Sequence, residues 1–224
     1  MPAFVVKSNA QYWKTIEQQY QSIAPDLQGL NRHRYRQITG GNQEFIEALS
    51  FQHYLETQTL IPYAESRGRI AAMSGEGGAV ELTHEDYILG ILDMTGELMR
   101  FSITAMATNG KLPAARPARP AGEKRVKRAP SEDHADERMD VDEQASEPRN
   151  VLSDLRELRL RLEMFEPAPG SWFGEDVDKK MKVMRECVEK VEKALYSLTV
   201  RGSERPKGWV PSTSEDRRPA LESY

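Results

Sequence analysis

Apolar side chains between Gln11 and Ile23 recur at Trp13, Ile16, Tyr20 and Ile23. That three-and-four spacing predicts a helix. Pro25-Asp26 interrupts it, because a proline disfavours helical geometry in the residue before it. A second helical stretch is predicted from Leu30 to Leu60, weakened at Gly40-Gly41. Phe45, Ile46, Ala48, Leu49, Phe51, Tyr54 and Leu55 make it apolar over most of its circumference, the pattern of a buried helix. Ser66 to Ala79 carries Gly68, Gly75, Gly77 and Gly78 and reads as a loop. Thr83 followed by Asp86 has the spacing of a capping box and opens a helix predicted to end near Thr108, before Gly110. Tyr87, Ile88, Ile91, Leu92, Leu98 and Ile103 form its core stripe.

Periodicity stops at Pro113 and resumes at Val151. It continues to Phe165, breaks at Pro167-Ala168-Pro169-Gly170, and returns from Glu175 to Val200. The last stretch sets Val177, Met181, Met184, Val188, Val191, Leu195 and Leu198 on one stripe, with Gly202 as the expected stop. No alternating pattern of useful length and no internal repeat is present, so the predicted class is all-α, a helical bundle.

Composition changes this picture mainly between the helices. From Pro113 to Arg149 there are several prolines, few large apolar residues and segregated charge: Arg116, Arg119, Lys124, Arg125, Lys127 and Arg128, then an acidic block from Glu132 to Glu147. Such a segment buries too little surface to offset the entropy of ordering it, and a disordered insertion is expected. The expected organisation is an unmatched segment 1–10, helical core 11–108, charged insertion 109–150, helical core 151–205 and a flexible tail 206–224. The net charge of −4 argues against indiscriminate polyanion binding but leaves room for local basic patches. One is Lys124-Arg125-Val126-Lys127-Arg128, read as a nuclear-import signal, a phosphate contact or solvated linker. Cys187 is the only cysteine, which excludes an internal disulfide and suits a reducing compartment. Its place on the apolar stripe predicts a core thiol. No signal-peptide pattern opens the sequence and no apolar run approaches the roughly 18 residues of a membrane span, so an intracellular soluble protein without membrane contact is expected.

Two helices carry acids where burial is expected. Glu44 and Glu47 stand three apart in a mostly apolar segment, and Asp93 and Glu97 stand four apart within Ile91 to Met99. Each pair shares a helix face. A buried carboxylate protonates, finds a cation or sits in a wet cavity. Four of them from two packed helices favour a divalent ion, and magnesium suits hard oxygen ligands that leave room for water and phosphate. In phosphodiester cleavage such ions activate the attacking water and stabilise the leaving oxygen. Taken alone, either pair more often belongs to a solvated face. Gly90 and Gly96 flank Asp93 and predict close approach of a neighbour or substrate. A ferritin-like oxidase would need two Glu-x-x-His motifs. Only Glu81-Leu82-Thr83-His84 has that spacing, and His84 fits a cap-region residue better than a ligand. His33 and His53 read as packing or surface residues. Arg32, Arg34, Arg36 and Arg100 are candidates for contacts with an RNA backbone, against the alternative of an exposed face or a salt bridge.

At these helices the sequence resembles the translin family, and more closely its translin-associated factor X branch than translin itself. The resemblance is carried by Glu44 to His53 (EFIEALSFQH), Asp86 to Gly90 (DYILG), Asp93 to Arg100 (DMTGELMR) and Leu195 to Glu204 (LYSLTVRGSE), in that order. It implies an α-helical subunit that assembles with translin into a closed hetero-oligomer, an octamer, around a cavity that holds single-stranded RNA or DNA. It further implies magnesium-dependent endoribonuclease activity in small-RNA or transfer-RNA-fragment processing, with Glu44, Glu47, Asp93 and Glu97 as catalytic and metal-holding residues, in the cytoplasm and nucleus. A non-catalytic scaffold that stabilises translin is the rival reading. The family pattern also implies a long helix ahead of the one starting near Gln11, where this sequence has only the unmatched Met1 to Ala10.

Overall fold

A computed structural model describes residues 3–31, 39–113, 149–168 and 170–201. Six α-helices are described: α1 (Ala3–Ile23), α2 (Thr39–Thr57), α3 (Tyr63–Met73), α4 (His84–Asn109), α5 (Val151–Glu163) and α6 (Trp172–Arg201). No strand occurs among the described residues, so the all-α expectation holds. None of these helices is long and apolar enough to cross a membrane.

Helix α4 is the hub. It packs on α2, on α6 and on α5, while α5 also lies against α6, and α1 against α3. Its start follows the capping prediction: Thr83 Oγ1 accepts from the Asp86 amide at 3.2 Å. Its end follows the glycine prediction, with Gly110 in the left-handed region at φ 68° and its amide donating to Met106 O. Leu89, Ile91, Leu92, Met94, Leu98 and Met106 of α4 are buried against Ile46 and Leu49 of α2 and Val177, Met181, Met184, Val188 and Val191 of α6. The α6 part of this core is the predicted stripe; on α4 Ile91, Leu92 and Leu98 are buried as predicted, whereas Tyr87, Ile88 and Ile103 are only partly buried and Leu89, Met94 and Met106 lie deeper.

Helix α1 joins through aromatic side chains. Phe45 of α2 receives Trp13 edge-on at 5.7 Å and Tyr20 edge-on at 5.4 Å. Each α1 ring keeps its polar end satisfied: Trp13 Nε1 donates to Gln52 Oε1 and Tyr20 Oη donates to Asn42 Oδ1, both at 2.9 Å. At the other end of α2, Tyr54 Oη donates to Asp154 Oδ2 at 2.7 Å, which ties α5 to α2 across the insertion. Asn150 and Ser153 cap α5 reciprocally, side chain to backbone in both directions.

Three expectations change. The first helix begins at Ala3 rather than near Gln11, because the turns before Gln11 carry no apolar period that a pattern search registers. Among the described residues of the stretch from Leu30 to Leu60, the α-helix runs over Thr39–Thr57, and residues 32–38 lie outside the described residues. The glycine-rich segment from Ser66, read as a loop, contains most of α3. Only Ser66 and Ile70 of α3 are buried, which is too little for a visible stripe, and Gly68 faces open space. The turn that does need glycine follows, with Gly75 at φ 65° and Gly78 at φ 100°. Of the insertion expected from Pro113 to Arg149, residues 114–148 lie outside the described residues, as do the expected tail and Gly202 stop.

Candidate functional site at the junction of three helices

The acids expected to converge sit where α2 crosses α4. What sets the crossing is Gly90. A methyl group on it would stand 2.7 Å from Gln43 O and 2.7 Å from Ile46 Cβ, so the α2 backbone rests directly on α4 at this point. One turn beyond the crossing, Glu47 on α2 and Asp93 on α4 open onto the same cleft of about 250 Å³. Gly96, Arg100 and Lys180 complete its polar wall, with Leu92 and Val183 beside them.

Burial raises the Glu47 carboxyl above the usual carboxylate range, and the negative charges of Asp93 and then Glu97 push it further. Arg100 and Lys180 oppose that rise. Three of the four expected acids therefore share one electrostatic environment. Asp93 is paired with the Lys180 ammonium, which also reaches Gln43 Oε1 at 3.4 Å. Glu97 is paired with Arg100 at 2.5 Å. Glu44 is placed differently. It is exposed and lines the groove between α1 and α2, beside Ile16, Tyr20, Phe45 and Ala48.

Chemically the donor set fits a hard divalent cation: carboxylates from two helices, mutually repelling, in a partly sheltered cleft. As arranged here, no three His, Cys, Asp or Glu side chains among the described residues surround a common ion position. The bases explain why, since Lys180 and Arg100 each hold one of the acids. Glu47, Asp93 and Glu97 are thus the residues that would hold a metal.

Lys180 is the site residue that the sequence reading missed. It stands three residues after Val177 and four before Met184, both buried on the stripe of α6. A lysine at that register was the available signal, hidden among Lys179, Lys182 and Lys190. Arg100, a candidate for an RNA contact or a salt bridge, is paired with Glu97, with its side chain 67% exposed at the rim. Arg32, Arg34, Arg36 and His33, like the basic cluster 124–128, lie outside the described residues. His84 is the first residue of α4, in the cap region as expected, and its ring stacks on Tyr63 at 4.2 Å. His53 Nε2 lies 3.1 Å from Thr59 Oγ1 at the end of α2. Cys187 is buried, and burial raises its thiol pKa, so it is the core thiol foreseen from its register.

The Glu47 shift has a consequence for stability. A carboxyl whose folded pKa lies above its unfolded value binds more protons in the native state through that interval. Ionised Glu47 therefore costs stability above its folded pKa, and the cost vanishes as pH falls towards the ordinary glutamate value of about 4.3. In the absence of divalent ions, Glu47→Gln is expected to raise the Tm at pH 7.5 and to give a smaller gain near pH 5. Thermal melts at the two pH values check it; a loss of Tm at pH 7.5 contradicts it.

An all-α bundle with carboxylates from two core helices gathered at one cleft defines the class of this protein. The chain belongs to the translin family, whose sequence model matches residues 2–202 and so takes in the helix α1 residues ahead of Gln11. It is 28% identical over 211 residues to Translin-associated protein X of Mus musculus and of Rattus norvegicus, an alignment covering 86% of this chain and 60% of each relative. To the Translin-associated protein X homolog of Schizosaccharomyces pombe it is 37% identical over 92 residues, 41% of this chain and 36% of that protein. The chain therefore spans 60% of the length of the rodent relatives it matches.

Proposed function

We propose that this chain is the catalytic subunit of a magnesium-dependent endoribonuclease that assembles with translin and cleaves single-stranded RNA. The observation that carries the reading is the cleft that Glu47 from α2 and Asp93 from α4 both line, where burial, and then the charges of Asp93 and the neighbouring Glu97, raise the Glu47 carboxyl. Family membership and the name of the relatives, proteins associated with translin, support the choice of partner.

In this reading Glu47, Asp93 and Glu97 hold the ion. Magnesium bound there supplies Lewis-acid activation of a phosphodiester and of the water that attacks it. The chain's own groups supply the rest. Arg100 sits at the rim, where its guanidinium can take two phosphate oxygens. Leu92 and Val183 shelter one side of the cleft, which strengthens every charge interaction inside it. Glu44 enters as an outer carboxylate, one turn from Glu47, and carries less of the chemistry because it opens towards α1.

The test is cleavage of a labelled single-stranded RNA by the chain co-purified with translin. Cutting that appears with Mg2+ and disappears with EDTA is expected. One observation favours a second reading, a non-catalytic scaffold for translin: Asp93 and Glu97 are each already paired with a base of their own chain. A complex that binds the RNA yet leaves it intact in Mg2+ selects the scaffold.

A further inference from the structure

We propose that Lys180 is a built-in counter-ion of the acidic cleft, which holds Asp93 while no metal is bound and must be displaced for a divalent ion to bind. The inference rests on the metal reading above and adds to it a residue that sets the affinity of the site.

Three observations carry it. First, Lys180 comes from a third helix, α6, and its ammonium pairs with Asp93 Oδ2 in the cleft that Glu47 also lines. Any ion ligated by Asp93 competes with that ammonium for the same carboxylate. Second, its placement is enforced by packing. Val177, Met181 and Met184 fix the adjoining face of α6 in the core, and the Lys180 side chain is only 26% exposed. Lys179 and Lys193, on the same helix, are 70% and 72% exposed and pair with acids of α6 itself. Third, Lys180 has a way out. A lysine head is a compact point charge on a flexible four-carbon stem, and its neighbour on the cleft, Val183, is 56% exposed. The ammonium can swing to solvent without moving α6, keeping its stem on the apolar wall.

The physical logic is that of charge balance. Partly buried carboxylates at one cleft need a cation. Lys180 provides one positive charge without ligand geometry, whereas a divalent ion provides two with it. Loading is then an exchange of cations, and the site keeps its shape in either state.

The experiment compares wild type with Lys180→Met in the full chain co-purified with translin. Mg2+ and Mn2+ binding is measured by calorimetry and by the loss of the free Mn2+ spectrum, and Tm is measured in EDTA and in Mg2+. The expected result is at least tenfold tighter metal binding by Lys180→Met. Its Tm should fall below wild type in EDTA and recover in Mg2+, while wild type changes little. Lys180→Arg, which keeps the charge, should bind metal no tighter than wild type. Equal or weaker binding by Lys180→Met overturns the counter-ion role and leaves the metal site standing. No binding by any variant, with no Mg2+-dependent cutting, overturns both. Should Lys180→Met not fold without metal, refolding on Mg2+ addition supports the proposal, and failure to refold counts against it.

Discussion

Asp93→Asn, in the chain co-expressed with translin, is expected to lower Mg2+-dependent RNA cleavage by about 100-fold or more, the scale of losing one preorganised electrostatic group at a catalytic centre. Assembly and RNA binding should persist. Asparagine matches the shape of aspartate and keeps one oxygen, so packing at the crossing is preserved while the negative charge is lost. Asp93 lines the cleft directly, Glu97 lies one turn further along α4 against Arg100, and Glu44 faces the groove towards α1. The geometry therefore orders the charge-removing substitutions. Asp93→Asn and Glu47→Gln should cost most, Glu97→Gln less, and Glu44→Gln least. Single-turnover rates at saturating RNA, alongside size-exclusion profiles, measure this. Full activity in Asp93→Asn would remove the site assignment.

Gly90→Ala should destabilise the protein, although the same substitution in most helices does the opposite. In an exposed helix, replacing glycine by alanine stabilises by about 1 kcal/mol. Here the added methyl meets a carbonyl oxygen and a β-carbon of α2 at 2.7 Å. The oxygen belongs to the backbone, so α2 and α4 must separate. Overpacking of this kind costs about 1–3 kcal/mol, a fall in Tm of roughly 2–12 °C for a chain of this size. Because the same contact sets the distance between Glu47 and Asp93, cleavage should weaken along with stability. Gly96 provides the control. Its nearest neighbour to an added methyl is the Arg100 guanidinium at 3.9 Å, ordinary contact, so Gly96→Ala should hold or raise the Tm. A Gly90→Ala protein as stable as wild type would refute the close crossing.

The sequence by itself determined the class of fold and the helices that carry the acids. Strong stripes do this because burial repeats with the helical period: Val177, Met181, Met184 and Val188 could face inward only as a helix, and they do. The Thr83 cap and the Gly110 stop were legible because capping chemistry is local. The weakly patterned α3 was not, since one fully buried isoleucine supplies no period and its helical state depends on what Ile70 meets in the core.

Tertiary structure decided the site. Spacing put Glu44 and Glu47 on one face and Asp93 and Glu97 on another, but a helix face spans a wide arc. Only the crossing at Gly90 settles that Glu47 joins Asp93 and that Glu44 opens towards α1. Gly90 and Gly96 look alike in the sequence, and their opposite consequences follow from what lies within reach of a methyl group. Lys180 is the clearest case. It is 87 residues from Asp93 along the chain, and no local rule joins two charges across that separation. The packing of α6 on α4 brings them together.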